Sequence, residues 1–388
     1  MNAHEYAGHY RILSPDLSAY VAIRARWRWP FSFSANFDAL SGMSYPKKVP
    51  YVRLGNSGLK VSKIILGCLS YGSPEYQPWV LGEEEGIKHI KVAYDLGINT
   101  FDTANVYSNG LSEVVLGKAI RANNLPRDEI VVMTKLYSEV KRNVNEYFTL
   151  DIDPDTTGYV NQHGLSRKHI FDSVKHSLER LQLDYIDVLQ CHRFDRDTPI
   201  EETMEALHDV VKAGWVRYIG MSSCWAYQFN AMQNYAIQNK LTPFISMQNH
   251  YSLIYREEER EMFPTLQQYG VGSIPWSPLG RGVLTRPITQ QTKRGETDEF
   301  ISFYKNAKES TESIVNRVEE LARKKGCSMA QLALAWIMAR PGVTAPIVGT
   351  TSLDNLRDLA DAVDVKLSAD EMKYLEEPYT PQAVLGHF

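Results

Sequence analysis

Eight times in succession a short apolar run gives way to an amphipathic, helix-spaced stretch, and this alternation predicts a closed (β/α)8 TIM barrel. Two further observations support that class. The runs, about five residues each, are apolar on both faces, as the strands of a parallel sheet between two layers must be. The connections are mostly short, and polar side chains recur at the C-terminal ends of the runs, the barrel face where functional groups gather. At 388 residues the chain is long for an average domain but within the range of one barrel with insertions.

Composition narrows the function classes. Hydrophobic residues make up 44% and charged residues 23%, the balance of a water-soluble globular chain. A net charge of −4 argues against a nucleic-acid or anionic-membrane partner. No run of about 18 uncharged apolar residues is present, so no membrane span is expected. Cys68, Cys191, Cys224 and Cys327 are scattered without a C-x-x-C pair. That favours reduced thiols in a cytoplasmic enzyme over a disulfide framework, and no cluster has metal-ligand spacing, so no metal is expected. Monomer and homo-oligomer are equally compatible with this composition. Residues 1–50 stand apart: "RARWRWPFSFSANF" is basic and aromatic without periodicity. It reads as an N-terminal arm, poorly ordered, covering one end of the fold, or a weak organelle signal, and it lacks the continuous apolar core of a secretory signal. Residues 51–388 read as a single barrel domain.

The elements follow in order. "YVRLGNSGLKV" is a hairpin turning at Asn56-Ser57-Gly58, and "KIILGC" is the first barrel strand. Residues 83–97 form a helix, with Ile87, Ile90 and Tyr94 at helical spacing and Gly97 as its stop. "TFDT" is a strand, followed by the helix "SEVVLGKAIRAN" with Ser112 as N-cap and Glu113 in its first turn. "EIVVMTKL" leads to "SRKHIFDSVKHSLERLQ", and "YIDVLQCH" to the helix running from Pro199 to Gly214. "VRYIGMSS", "PFISMQNH", "GSIPWSP" and "TAPIVGT" complete the strands, each followed by a helix; "REEEREMFPTLQQYG" is the sixth. Two connections are long, residues 137–165 and 280–311, and both follow strand C-termini, as lids and substrate loops do.

The polar residues at the strand ends carry the chemistry. Asp102 and Tyr107 follow the second barrel strand, Lys135 ends the third and His192 the fourth. Singly, each has an ordinary explanation as a cap, a solvated strand end or a buried hydrogen bond. Together at one barrel face they form a proton-transfer site. An ammonium in hydrogen-bond reach of a phenol favours the phenolate, and a carboxylate keeps the ammonium charged. A histidine can orient a carbonyl oxygen or relay a proton. Such a set suits carbonyl reduction or the reverse, with hydride from a cofactor because no side chain supplies it. No G-x-G-x-x-G or P-loop signature is present. In their place stand "WSPLGRG", an aromatic and a Gly-flanked Arg281, and "PIVGTTSLDN", whose Gly349 to Ser352 open a helix: an anion site or a plain N-cap.

"FDTANVYSNGLSEVVLGKAI", the Lys135 strand, "QCHR", "GMSS", "SMQN", "WSPLGRG" and "PIVGTTSLDNL" together resemble the aldo-keto reductase superfamily, from about Tyr51 to about Pro381. Within it the chain is most similar to the fungal aryl-alcohol dehydrogenase and versiconal hemiacetal acetate reductase group. The resemblance implies a barrel binding NADP(H), with Asp102, Tyr107, Lys135 and His192 as catalytic tetrad and Tyr107 as general acid/base. It implies that Ser222, Ser223 and Gln248 hold the nicotinamide carboxamide and that Trp276 stacks on the ring, where the family usually has Tyr or Phe. Ser277, Leu279, Gly280, Arg281 and Arg294 would line the pyrophosphate. Gly349, Thr350, Thr351, Asn355 and Asp358 would meet the adenosine 2′-phosphate end, where Leu359 replaces a usual asparagine. Tyr71, Trp225 and Tyr251, near strand ends, stand as candidate pocket walls beside the alternative of core packing. The expected reaction interconverts aldehydes or ketones, aromatic ones foremost, and alcohols. The alternative is a non-catalytic NADPH-sensing regulatory subunit of the channel β-subunit type.

Overall fold

The structure, a computed structural model, describes residues 48–147, 152–290, 304 and 308–387. Nearly all of the expected N-terminal arm therefore lies outside the described residues. Eight parallel strands form the sheet: β3 (Ile65–Gly67), β4 (Thr100–Asp102), β5 (Val131–Leu136), β6 (Ile186–Cys191), β7 (Val216–Ser222), β8 (Phe244–Gln248), β9 (Gly272–Ser273) and β10 (Ile347–Val348). From β3 to β9 each strand pairs with the next, and β10 pairs with β3. Closure comes from backbone bonds beyond the regular ladder. Thr344 N–H donates to Ser273 O at 2.8 Å, and Ile347 N–H to Pro275 O at 2.8 Å.

Between the strands run α1 (Glu83–Asp95), α2 (Leu111–Ala122), α3 (Arg167–Leu181), α4 (Ile200–Lys212), α5 (Ala226–Gln238), α6 (Met262–Tyr269), α7 (Lys308–Lys325), α8 (Met329–Ala339) and α9 (Leu353–Asp361), with α10 (Ala369–Glu376) behind them. The large apolar cluster joins this helical layer to outward strand residues such as Phe101, Val132, Leu189 and Ile219. A smaller cluster fills the barrel: Ile65, Val131, Met133, Val188, Ile274, Ala345 and Ile347. Leu54 and Val61, from the antiparallel hairpin β1 (Tyr51–Arg53) and β2 (Lys60–Ser62), belong to that same inner cluster. The hairpin is thus the plug of the barrel's lower end. It is held there by the Asn56 N–H bond to Gly270 O at 2.7 Å.

Two local expectations are corrected. The cap of α2 is Gly110 at φ 94°, not Ser112, whose hydroxyl instead donates to Cys68 O at 2.8 Å inside the core. Glu113 stands in the first turn of α2, as expected, and is fully buried there, paired with Arg180 at 2.6 Å and accepting from Thr134. "REEEREMFPTLQQYG" is not one helix. Its acids make a 3-10 turn over Glu257–Glu259, because Glu257 and Glu259 are drawn to Arg260 and Arg256, and α6 starts only at Met262.

Where α2 crosses α3, a Cβ at Gly117 would lie 2.2 Å from Leu181 O, a backbone atom that cannot swing aside. Helix propensity alone predicts that Gly→Ala gains about 1 kcal/mol. Here the clash outweighs it, so Gly117→Ala is expected to destabilise by about 1–3 kcal/mol, read as a lowered urea midpoint. A raised midpoint would overturn this close approach.

Candidate active site

Strand alternation decides what faces inward. Val131 and Met133 of β5 line the barrel interior, so Lys135, two residues on, does too; Val188 sets the same face for Gln190 on β6. Asp102 at the end of β4 meets Lys135 there, with Nζ 2.6 Å from Oδ2. The lysine is wholly buried and the aspartate 2% exposed. Such a pair persists only if its remaining protons and lone pairs find partners, and they do. The other two ammonium hydrogens go to Thr103 O at 2.8 Å and Tyr107 OH at 3.1 Å. Asp102 Oδ1 accepts from Gln190 Nε2 and from Gln248 Nε2, both at 2.9 Å. Burial pulls the Lys135 pKa down, but the charges and hydrogen bonds of Asp102 and Tyr107 leave it raised.

Room for this network depends on Gly220 of β7. A Cβ there would sit 2.3 Å from Ser246 Oγ and 3.3 Å from Gln190 Cγ.

Tyr107 reaches the same point by a different route. After β4 the chain passes through three consecutive left-handed residues, Ser108 (φ 47°), Asn109 (φ 49°) and Gly110 (φ 94°), before α2 begins. This turn leaves the Tyr107 ring half-buried, 4.8 Å from the Lys135 ammonium. The His192 ring meets it edge-on, with centroids 5.8 Å apart. Burial, then the charges of Arg193 and Lys135, push the His192 imidazole well below its usual pKa, so it is neutral at pH 7. Arg193, whose Nη1 donates to His192 O at 2.6 Å, is brought by burial down to about 10 and stays charged.

A second assembly lines the mouth. Trp276 stacks on His250 (4.2 Å, 10°), and His250 on Tyr255 (4.1 Å, 11°). The Trp276 indole N–H donates to Ser223 Oγ at 3.0 Å, fixing the ring from its edge as well. Ser222 donates to Gln248 O at 2.7 Å. The C-terminal segment folds against this assembly. Leu385 N–H donates to Tyr255 OH at 2.9 Å, and the His387 ring meets Trp225 edge-on.

The structure therefore brings Asp102, Tyr107, Lys135 and His192 together, with Ser222, Ser223, Gln248 and Trp276 beside them. Ser277, Leu279, Gly280 and Arg281 form the following loop, in which Ser277, Gly280 and Arg281 all have left-handed backbone. Gly349, Thr350 and Thr351 lead into α9, whose N-cap Ser352 accepts from Asn355 N–H. Trp225 is partly exposed near the tail.

Other positions differ from expectation. Tyr71 and Tyr251 are not pocket walls. Tyr71 is fully buried with its hydroxyl on Thr350 O, and Tyr251 packs on Trp336 with its hydroxyl donating to Glu259. Asp358 does not present its carboxylate at the helix start; it accepts from Ser328 Oγ at 2.7 Å and Gln331 Nε2 at 2.8 Å, tying α9 to α8. Arg294 lies outside the described residues. Leu359 is buried in the core. Sequence reasoning overlooked Gln190, although its spacing of two from Val188 marks the inner face. It also overlooked Arg193 and the His250 stack, for which the linear pattern carries no signal.

Comparison with known proteins agrees with this geometry. Residues 63–379 match the model of the aldo/keto reductase family. Versiconal hemiacetal acetate reductase of Aspergillus parasiticus is 52% identical over 338 residues, covering 86% of this chain and 98% of that protein. A putative aryl-alcohol dehydrogenase of Schizosaccharomyces pombe is 50% identical over 352 residues (87% and 97%). One of Saccharomyces cerevisiae is 44% identical over 345 residues (86% and 98%).

Two measurements probe the site's energetics. Lys135→Met leaves a buried carboxylate without its cation and is expected to cost about 3–5 kcal/mol; adding Asp102→Asn to that variant should recover part of the loss in urea unfolding. Equal or greater loss in the double variant would show that the pair is not coupled. The second measurement concerns pH. His192 and His250 both have pKa values far below the ordinary value, mainly through burial. The unfolded chain then binds more protons below about pH 6.5, so stability is full above that pH and falls on acidification. The urea midpoint should drop between pH 7.5 and 5.5, and less steeply in His250→Phe, since His250 is the more deeply enclosed of the two.

Proposed function

We propose that this chain, which belongs to the aldo/keto reductase family, is an NADP(H)-dependent enzyme that interconverts aromatic aldehydes or ketones and alcohols with Tyr107 as proton donor. That it is an oxidoreductase acting on carbonyls or alcohols follows from the family and from its reductase and dehydrogenase relatives. The finer reading rests above all on the valence of Lys135. All three of its N–H bonds are committed, to Asp102, Thr103 and Tyr107. The Tyr107 oxygen is therefore an acceptor toward the lysine, and its own proton is left to point at a substrate.

Family members use NAD(P)H, and the residues present fit such a molecule. The Trp276 indole is a flat platform locked by His250 and Ser223. The loop after it combines left-handed turns with the Arg281 guanidinium, and α9 presents its N-terminus, groups whose charge and N–H donors suit a diphosphate and a phosphate. The exposed amide of Asn355 favours a 2′-phosphate over a bare ribose hydroxyl. When bound, the nicotinamide supplies the hydride.

The chain's own residues manage the proton. His192, neutral, donates one N–H to a carbonyl oxygen and orients it toward Tyr107 without placing a second cation against Lys135. Tyr107 gives its proton to that oxygen as negative charge develops there. The resulting phenolate is held by the Lys135 ammonium, whose charge Asp102 balances. Reprotonation comes from solvent, to which half-buried Tyr107 has access. Trp225 and the C-terminal tail form one wall, an aromatic surface that suits an aromatic substrate. A cytoplasmic setting is supported by the four free thiols.

The direct test is Tyr107→Phe. The hydroxyl is needed only for the proton, so reduction of benzaldehyde-type substrates should fall at least about 10³-fold. NADPH binding, followed by quenching of tryptophan fluorescence, should stay within about twofold by the same reasoning. Comparable turnover in the variant would refute the role of Tyr107.

A further inference from the structure

Residues 137–165 follow the strand that carries Lys135, and Gly164 N–H donates to Tyr137 O at 2.8 Å, so the two ends of this long connection meet. Its first part is not held by regular secondary structure. Among the described residues, most of the hydrogen bonds that tie this part to the barrel mouth go to one side chain, Asn109, two residues after Tyr107, with a longer one from Asn105 Nδ2 to Ser138 O at 3.4 Å. Asn109 Oδ1 accepts from Lys141 N–H at 3.2 Å. Its Nδ2 donates to Glu146 O at 2.8 Å and Asn143 O at 3.0 Å, with Val144 O at 3.4 Å. One amide thus pairs with backbone groups at both ends of the 141–146 turn, whose own Glu146 N–H to Asn143 O bond at 3.2 Å closes it between them.

We propose that Asn109 is a positioning residue that latches the 141–147 segment to the Tyr107 turn and so builds the second aromatic wall of the substrate pocket. Its backbone prepares it for the task. At φ 49° it occupies the left-handed region that asparagine tolerates better than other non-glycine residues. The amide is thereby turned away from α2 and toward the loop. Beyond the latch the segment ends in Tyr147, whose ring packs on Tyr76 at 5.1 Å. Burial, then the phenols of Tyr147 and Tyr107, push the Tyr76 hydroxyl well above the usual range. The far side of the loop is braced separately. Glu139 and Lys141 form an ion pair at 2.7 Å, Lys141 and Arg142 lie over the Tyr159 ring, and Arg142 donates to Gly158 O at 2.9 Å. Asn109 is therefore the joint between this braced loop and the residue that delivers the proton.

This inference rests on the proposed aromatic substrate class, so its test reads the loop and the reaction separately. Asn109→Gly keeps the left-handed backbone and removes only the latch. Asn109→Asp keeps size and backbone preference but turns three donated bonds into carboxylate–carbonyl repulsion. Limited trypsin digestion, with mass spectrometry of peptides ending at Lys141 and Arg142, should show cleavage there rising about tenfold in Asn109→Gly and further in Asn109→Asp. With an aromatic aldehyde, KM should rise about tenfold while kcat and NADPH affinity stay within about twofold, because the lost contacts bind substrate and transition state alike. Unchanged cleavage in both variants overturns the latch. Faster cleavage with unchanged KM, or a loss confined to kcat, overturns the positioning role. If the wild-type protein reduces no aromatic aldehyde while cleavage still differs, the substrate class falls and the latch stands.

Discussion

A lysine and an aspartate 2.6 Å apart inside an apolar barrel are the constraint on which the rest of the site depends. Removing two such ions from water costs several kcal/mol per ion even after relaxation. Their mutual attraction offsets that cost only when every other polar valence is filled. Thr103 and Tyr107 after β4, Gln190 of β6 and Gln248 of β8 fill them. The pair thereby ties β4, β5, β6 and β8 together across the barrel interior. It also explains the absence of a side chain at position 220, where any Cβ would press on Ser246 and Gln190. The hairpin plug and the inner apolar cluster keep water from reaching the pair from below.

The same cation shapes the chemistry at the mouth. Lys135 and Arg193 both bear on His192 and, with burial, hold it neutral. Lys135 also holds Tyr107 as an acceptor, which directs the phenolic proton outward. One charge thus sets the protonation of one neighbour and the hydrogen-bond direction of the other. Around this fixed centre the walls are aromatic and assembled from distant parts of the chain: the Trp276–His250–Tyr255 stack, Trp225 with the C-terminal tail, and the Tyr76–Tyr147 pair. On the proposed function, specificity would come from these packed rings and the proton chemistry from the ionic centre beneath them.

Much of this was legible in the linear pattern, and the particular successes and failures have one physical origin. The barrel strands, the hairpin and most helices follow from periodicity and stop signals, which are local. Asp102, Tyr107, Lys135 and His192 stood out because a polar side chain at the end of an apolar run is costly unless it opens on a mouth. Gln190 carried the same signal and was masked by the neighbouring His192. Tyr71 and Tyr251 show the limit of proximity to a strand end. Each lies close to one, yet each ring turns into the helical layer, where Thr350 and Glu259 satisfy its hydroxyl. Ser112 and Glu113 do open the helix, but the cap falls to Gly110 because the chain twists through three left-handed residues first and turns both side chains inward.

The sequence by itself determined the alternation of strands and helices and which strand residues share a face, because those depend on spacings of two and 3.6 residues. It therefore determined that a carboxylate, a phenol, an ammonium and an imidazole arrive at one end of one barrel. Only the tertiary structure decided their partners. Gln248 reaches Asp102 across 146 residues, Asn109 clasps a loop more than 30 residues away, and Asp358 turns to Ser328 instead of a ligand. Those choices depend on how closure of the barrel brings loops of unequal length together. No local spacing encodes that, since a side chain's partner is set by where its neighbours in space come to rest.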